Sequence, residues 1–131
     1  MQLTTPDSPN RATRAVVFAL ASALSLLIGS MVQAATTPIK LVGEVGPGFT
    51  ITLKKGTAKV STLKAGSYAI TVKDRSTSHN FHLFGTGVNK ATAVATTSTV
   101  TWTVTLRAGT YTYQCDPHSN SGMKATFKVT K

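Results

Sequence analysis

The stretch Tyr111-Thr-Tyr-Gln-Cys-Asp-Pro-His-Ser-Asn-Ser-Gly-Met123 carries the only cysteine of the chain, Cys115, three residues before His118 and eight before Met123. A thiolate, an imidazole and a thioether on one short loop make a set of soft and borderline ligands. Such a set suits copper, which needs sulfur to hold Cu(I) and nitrogen to hold Cu(II) at one site. Trigonal copper sites of this kind use two histidines and a cysteine with a weak axial methionine. One histidine is missing from the loop, and His79 in Ser78-His-Asn-Phe-His-Leu83 can supply it from another strand. Each residue also has an ordinary alternative. A lone cysteine is often an inert buried thiol, a methionine core filler, and a histidine a loop or strand-end residue. The metal reading rests on four matches of type and spacing together. Zinc also accepts cysteine and histidine, but a methionine in fourth place favours copper.

Here the chain resembles the cupredoxins, above all the plastocyanin-like blue copper proteins. The matching features are Cys115-x-Pro-His118 followed by Gly122-Met123, the Tyr111-x-Tyr113-x-Cys115 run leading in, and His79-Asn80 upstream. The resemblance runs from about Phe49 to Thr130. It implies one type 1 copper per chain, held by His79, Cys115, His118 and Met123. It also implies that Asn80 braces the ligand loop and donates toward the sulfur, and that the His118 ring lies near the surface as the electron's exit. Pro117 has no N–H to donate, which would tune the potential. For Asn80 and Pro117, simple turn chemistry is the competing account.

The elements that must position these residues come after a leader. Arg11 and Arg14 precede an uncharged apolar run from Ala15 to Val32, and Val32-Gln-Ala34 offers the small residues a signal peptidase reads. Residues 1–34 are therefore expected to be a signal peptide and 35–131 the copper-binding domain. The competing reading is a membrane anchor, but the run is diluted by Ser22, Ser25, Gly29 and Ser30 and sits at the lower edge of a bilayer span. The arginines are not adjacent, which argues against a twin-arginine signal, and no cysteine is placed for a lipid anchor. Export places the protein in the periplasm, outside the cell or on its surface. In an oxidising compartment a single thiol is a liability that coordination to a metal removes.

From Ile39 onward the pattern is period two, which predicts strands. Ile39, Leu41 and Val45 share one face, and Gly46-Pro47-Gly48 ends that strand. Phe49, Ile51 and Leu53 are expected inward in a second strand; the segment around Val60 and Leu63 is either a short strand or an irregular loop. Tyr68, Ile70 and Val72 form another inward face. His79 shares parity with Phe81 and Leu83, so it faces the core, whereas His82 shares parity with Asn80 and Phe84 and is expected outward with no chemistry. Val88–Ala95 gives only a loose placement and no helix signal. Val100, Trp102, Val104 and Leu106 make the clearest strand. Tyr111, Tyr113 and Cys115 face inward in the next, followed by Met123, Ala125, Phe127 and Val129 in the last. Seven or so short strands predict an all-β, antiparallel Greek-key sandwich, and Tyr111 resembles the tyrosine corner of that architecture.

Charge and composition narrow the function. The chain carries a net charge of +10; removing residues 1–34 takes away Arg11, Arg14 and Asp7 and leaves 12 basic and 3 acidic residues, a net charge of +9. An exported chain without a nucleic-acid motif is not expected to bind nucleic acid. An acidic redox partner or an anionic membrane surface fits better, though most lysines are spread singly as a solvated surface would have them. A monomer is expected. The function expected is a small electron carrier; the alternatives are a copper carrier or buffer that passes on the ion, and an adhesive or structural sandwich with a degenerate site. An enzyme is not expected: copper oxidases need a second cluster rich in histidine, this chain has three histidines in all, and Asp74 and Asp116 are too dispersed for acid-base work.

Overall fold

The computed structural model describes residues 36–131, so the leader, its cleavage point and the boundary after Ala34 lie outside the described residues. The strands in chain order are β1 (Ile39–Val45), β2 (Ile51–Lys55), β3 (Ala58–Lys59), β4 (Thr62–Lys64), β5 (Gly66–Asp74), β6 (His82–Gly85), β7 (Val88–Ala91), β8 (Ser98–Leu106), β9 (Gly109–Gln114) and β10 (Lys124–Thr130). A 3₁₀ segment, Asp116–Ser121, joins the last two. They form two five-stranded sheets, ordered β3-β2-β1-β5-β8 and β4-β10-β9-β6-β7. The expected all-β sandwich is therefore present. Each sheet is antiparallel except for one parallel pair, β1 with β5 and β4 with β10.

Alternation does most of the folding work. In β5 the buried residues are Tyr68, Ile70, Val72 and Asp74, with the residues between them only half-buried. In β8, Val104 and Leu106 are buried, whereas Val100 and Trp102 are half-buried against the core. Leu41, Val45, Leu53, Leu83 and Phe127 complete the interior between the sheets. Each such side chain contributes about 1.5–3 kcal/mol relative to exposure. The doubtful segment around Val60 and Leu63 resolves into the two short strands β3 and β4, and both residues are buried.

Phe49 departs from the expected inward face. It is 67% exposed, and β2 begins only at Ile51. The reason lies in the turn: Gly46 N–H donates to Thr50 O at 2.9 Å and Thr50 N–H to Gly48 O at 2.7 Å, so Phe49 belongs to the tip of the connection.

Two tyrosines in β9 play different parts. The Tyr111 hydroxyl accepts from Arg107 N–H at 3.0 Å and lies within donating distance of Thr86 O at 2.9 Å and Arg107 O at 3.0 Å, which closes the turn before β9. Gly85 is required beside it, since a Cβ there would overlap the Tyr111 ring. The buried Tyr113 hydroxyl has no well-formed hydrogen bond among the described residues; burial pushes its pKa up, with the Leu53 backbone opposing the shift. Tyr111→Phe should therefore cost about 1–3 kcal/mol by stranding the Arg107 N–H, whereas Tyr113→Phe should be neutral or stabilising. Urea unfolding of the copper-free protein measures both; equal losses would contradict this account.

Candidate metal centre

Two segments meet at one end of the sandwich. The first, between β5 and β6, carries His79 and is pinned on both sides. The buried Asp74 carboxylate accepts from Ser76 N–H at 3.3 Å and from the Thr92 hydroxyl. The Thr92 oxygen in turn accepts from Phe81 N–H at 2.8 Å, and Thr92 N–H donates to Phe81 O at 3.1 Å. His79 lies between these two anchor points.

The second segment closes the β9–β10 hairpin, where Gln114 and Lys124 are register partners. Cys115 N–H donates to Met123 O at 2.9 Å, His118 N–H to Cys115 O at 3.1 Å, and Met123 N–H to His118 O at 3.3 Å. Pro117 fits the first turn of the 3₁₀ segment because it has no N–H to leave unpaired. Gly122 ends the segment at φ 91°, a left-handed conformation that glycine adopts without a Cβ penalty.

This frame brings three donor atoms together. His79 Nδ1 and His118 Nδ1 are 2.9 Å apart, and Cys115 Sγ lies 3.7 Å from the first and 3.4 Å from the second. The point equidistant from the three lies about 2.0 Å from each, which is the length of a metal–nitrogen bond to imidazole. Among the described residues this is the one such group of histidine, cysteine or carboxylate donors. Cys115 and His79 are buried, and His118 is half-buried. Met123 is buried as well, tied by its backbone to both Cys115 and His118. The exposed Phe49 sits edge-on to both imidazoles, with ring centroids 5.3 Å from His79 and 4.8 Å from His118.

A layer of side chains outside the donors joins the two segments. Asn80 Oδ1 accepts from Asp116 N–H at 2.7 Å, and Asn80 Nδ2 donates to Asp116 Oδ2 at 2.8 Å. The brace expected of Asn80 is thus present, but its amide donates to the Asp116 carboxylate and not to the sulfur. Asp116 Oδ1 accepts from Gln114 Nε2 at 3.0 Å and from His82 Nδ1 at 2.8 Å. Burial would raise the Asp116 pKa, but the hydrogen bonds from Gln114, Asn80 and His82, with the charge of His82, hold it below its ordinary value. For His82, burial would lower the pKa, yet the bonds to Asp116 and Asn89 and the Asp116 charge raise it. Asp116, His82 and Phe49 are the neighbours of the site that sequence reasoning left out. Alternation gives only the outward parity of His82; its meeting with Asp116 depends on the pairing of β6 with β9, which sets His82 opposite Gln114.

Residues 51–130 match the model of the copper binding proteins, plastocyanin/azurin family. The chain belongs to this family. Its paired imidazoles and thiolate make the site a type 1 copper site, and copper is the cofactor the donor set fits. Among solved structures, the fold is similar to reduced rusticyanin, at 21% identity over 70% of this chain and 78% of that one, with a TM-score of 0.51. It is also similar to reduced auracyanin from Roseiflexus castenholzii, at 20% identity over 72% of this chain and 99% of that one, with a TM-score of 0.51. At such identities the likeness establishes the fold. No curated protein sequence matches the chain.

Proposed function

We propose that this cupredoxin is an exported small electron carrier, not an enzyme, with copper held by His79, Cys115 and His118 and by Met123 as the weak axial ligand. The observation that carries this reading is the convergence of three donor atoms in a site already braced by Asp74, Thr92 and Asn80. Copper supplies one-electron chemistry between Cu(I) and Cu(II). The protein's part is to hold the donors on hydrogen-bonded segments, so that neither oxidation state requires the frame to move. Burial of Cys115 and His79 keeps water from the sulfur side, and the half-buried His118 is the donor residue a partner reaches first. Export rests on the leader read in residues 1–34, and places the domain in the periplasm or at the cell surface. The partner is an acidic redox protein, which the net charge of +9 on residues 35–131 would attract to a monomeric carrier.

Stopped-flow reduction by an acidic redox protein should slow steeply as salt rises from about 0.01 to 0.5 M, while reduction by a small neutral reductant changes little. In parallel, the copper-loaded protein is cycled between oxidation states beside an excess of a copper-free acceptor. Retention of copper through many cycles supports the electron carrier. Rapid loss of copper to the acceptor would replace it by the copper-delivery reading, and salt-independent rates would remove the acidic partner.

A further inference from the structure

His82 opens β6, opposite Gln114 on β9 and Ala91 on β7. Its ring is held on three sides. Nδ1 donates to Asp116 Oδ1 at 2.8 Å, Nε2 lies 2.7 Å from Asn89 Oδ1, and the Phe84 ring packs against it with centroids 4.8 Å apart.

The partner that matters is Asp116. It follows the metal donor Cys115 directly, as Asn80 follows His79. Asn80 is buried, whereas the Asp116 side chain is 43% exposed and would sample several rotamers if left alone. Gln114 and His82 both donate to its Oδ1, which turns Oδ2 toward the Asn80 amide. The reciprocal Asn80–Asp116 pair thus has its geometry set from outside. Outside the donor atoms themselves, it is a side-chain link between the His79 segment and the Cys115–Met123 loop, next to a donor residue on each side.

We propose that His82 is a positioning residue for the copper site, holding the Asp116 carboxylate so that Asn80 locks the Cys115–Met123 loop against the His79 segment. This rests on the copper-site assignment and is indifferent to whether the protein passes on electrons or ions.

The test compares wild type with His82→Leu, which keeps the packing against Phe84 but donates nothing, and with His82→Asn, whose side-chain Nδ2 stands near the place of the ring Nδ1. Hydrogen exchange is read in the copper-free protein, and reduction potential and copper loss to a chelator in the loaded one. In His82→Leu the Asp116 amide should exchange about tenfold faster, while the core amides of Ile70 and Val104 change by less than about twofold. The potential should shift and copper should leave faster. His82→Asn should recover most of each change. Unchanged exchange at Asp116, uniform acceleration of all amides, or equal effects of leucine and asparagine would each overturn the proposal. If the leucine variant does not fold, Asn89→Ala, which removes only the outer support, should give the same pattern more weakly; no change there overturns it too. A protein that shows the exchange pattern but binds no copper supports the clamp and overturns the copper assignment instead.

Discussion

Cys115→Ser removes the intense blue absorption and the narrow copper hyperfine splitting of the loaded protein, and lowers copper affinity by at least about a hundredfold. The effect follows from the donor triangle. The thiolate is its only sulfur corner, and loss of a ligand should exceed the ten- to hundredfold cost typical of losing an outer-shell partner. Serine is close in size to cysteine and the Cys115 backbone bonds to Met123 and His118 are unaffected, so the fold should persist and circular dichroism should be unchanged. Met123→Leu is the informative companion. A weak axial thioether tunes the site more than it holds the metal, so that variant should stay blue with a shifted potential. A Cys115→Ser protein that keeps the blue band would refute the ligand assignment.

Phe81→Ala should cost about 3–5 kcal/mol, the usual loss for emptying a buried aromatic site. Phe81 is fully buried, stacked on Tyr113 with centroids 5.7 Å apart and planes 4° from parallel, and tilted against Trp102 at 6.3 Å. Gly43 lies so close beneath it that an added Cβ would approach the ring to 2.8 Å, so the surrounding backbone is already moulded to this side chain. Domains of this size are stable by only about 5–15 kcal/mol, and the loss takes a large share of that. Because the cavity opens two residues from His79, copper retention should fall with stability. Urea denaturation of the copper-free protein and chelator-driven copper loss read the two effects; a stability loss below about 1 kcal/mol would show that the ring is not the support described.

What the sequence disclosed follows from what alternation can and cannot carry. It records the face on which a residue lies, and it placed His79, Cys115 and Met123 inward, where all three are buried. It does not record which strand lies alongside, so the parallel pairing of β1 with β5 and of β4 with β10 was not legible. It also continues past the end of a strand. Phe49 has the parity of Ile51 and Leu53, yet the hydrogen bonds around Thr50 hold it in the turn, where it covers the two imidazoles from outside. His82 shows the third limit. Its outward parity implies no role in the site, whereas the outer side of β6 is where the Asp116 carboxylate reaches.

The ends of the two sheets give the basic charge a further meaning. Three of the four edge strands carry lysine: Lys59 in β3, Lys64 in β4 and Lys90 in β7. A lysine on an open edge deters a second chain from adding as another strand, because pairing would bury or crowd its charge. The fourth edge, β8, runs for nine residues with exposed threonines and no charged side chain. That strand is the unguarded seam of the sandwich. There, the net charge of +9 on residues 35–131 would keep whole molecules apart by the same repulsive field that would draw the proposed acidic partner. Salt that screens one weakens the other.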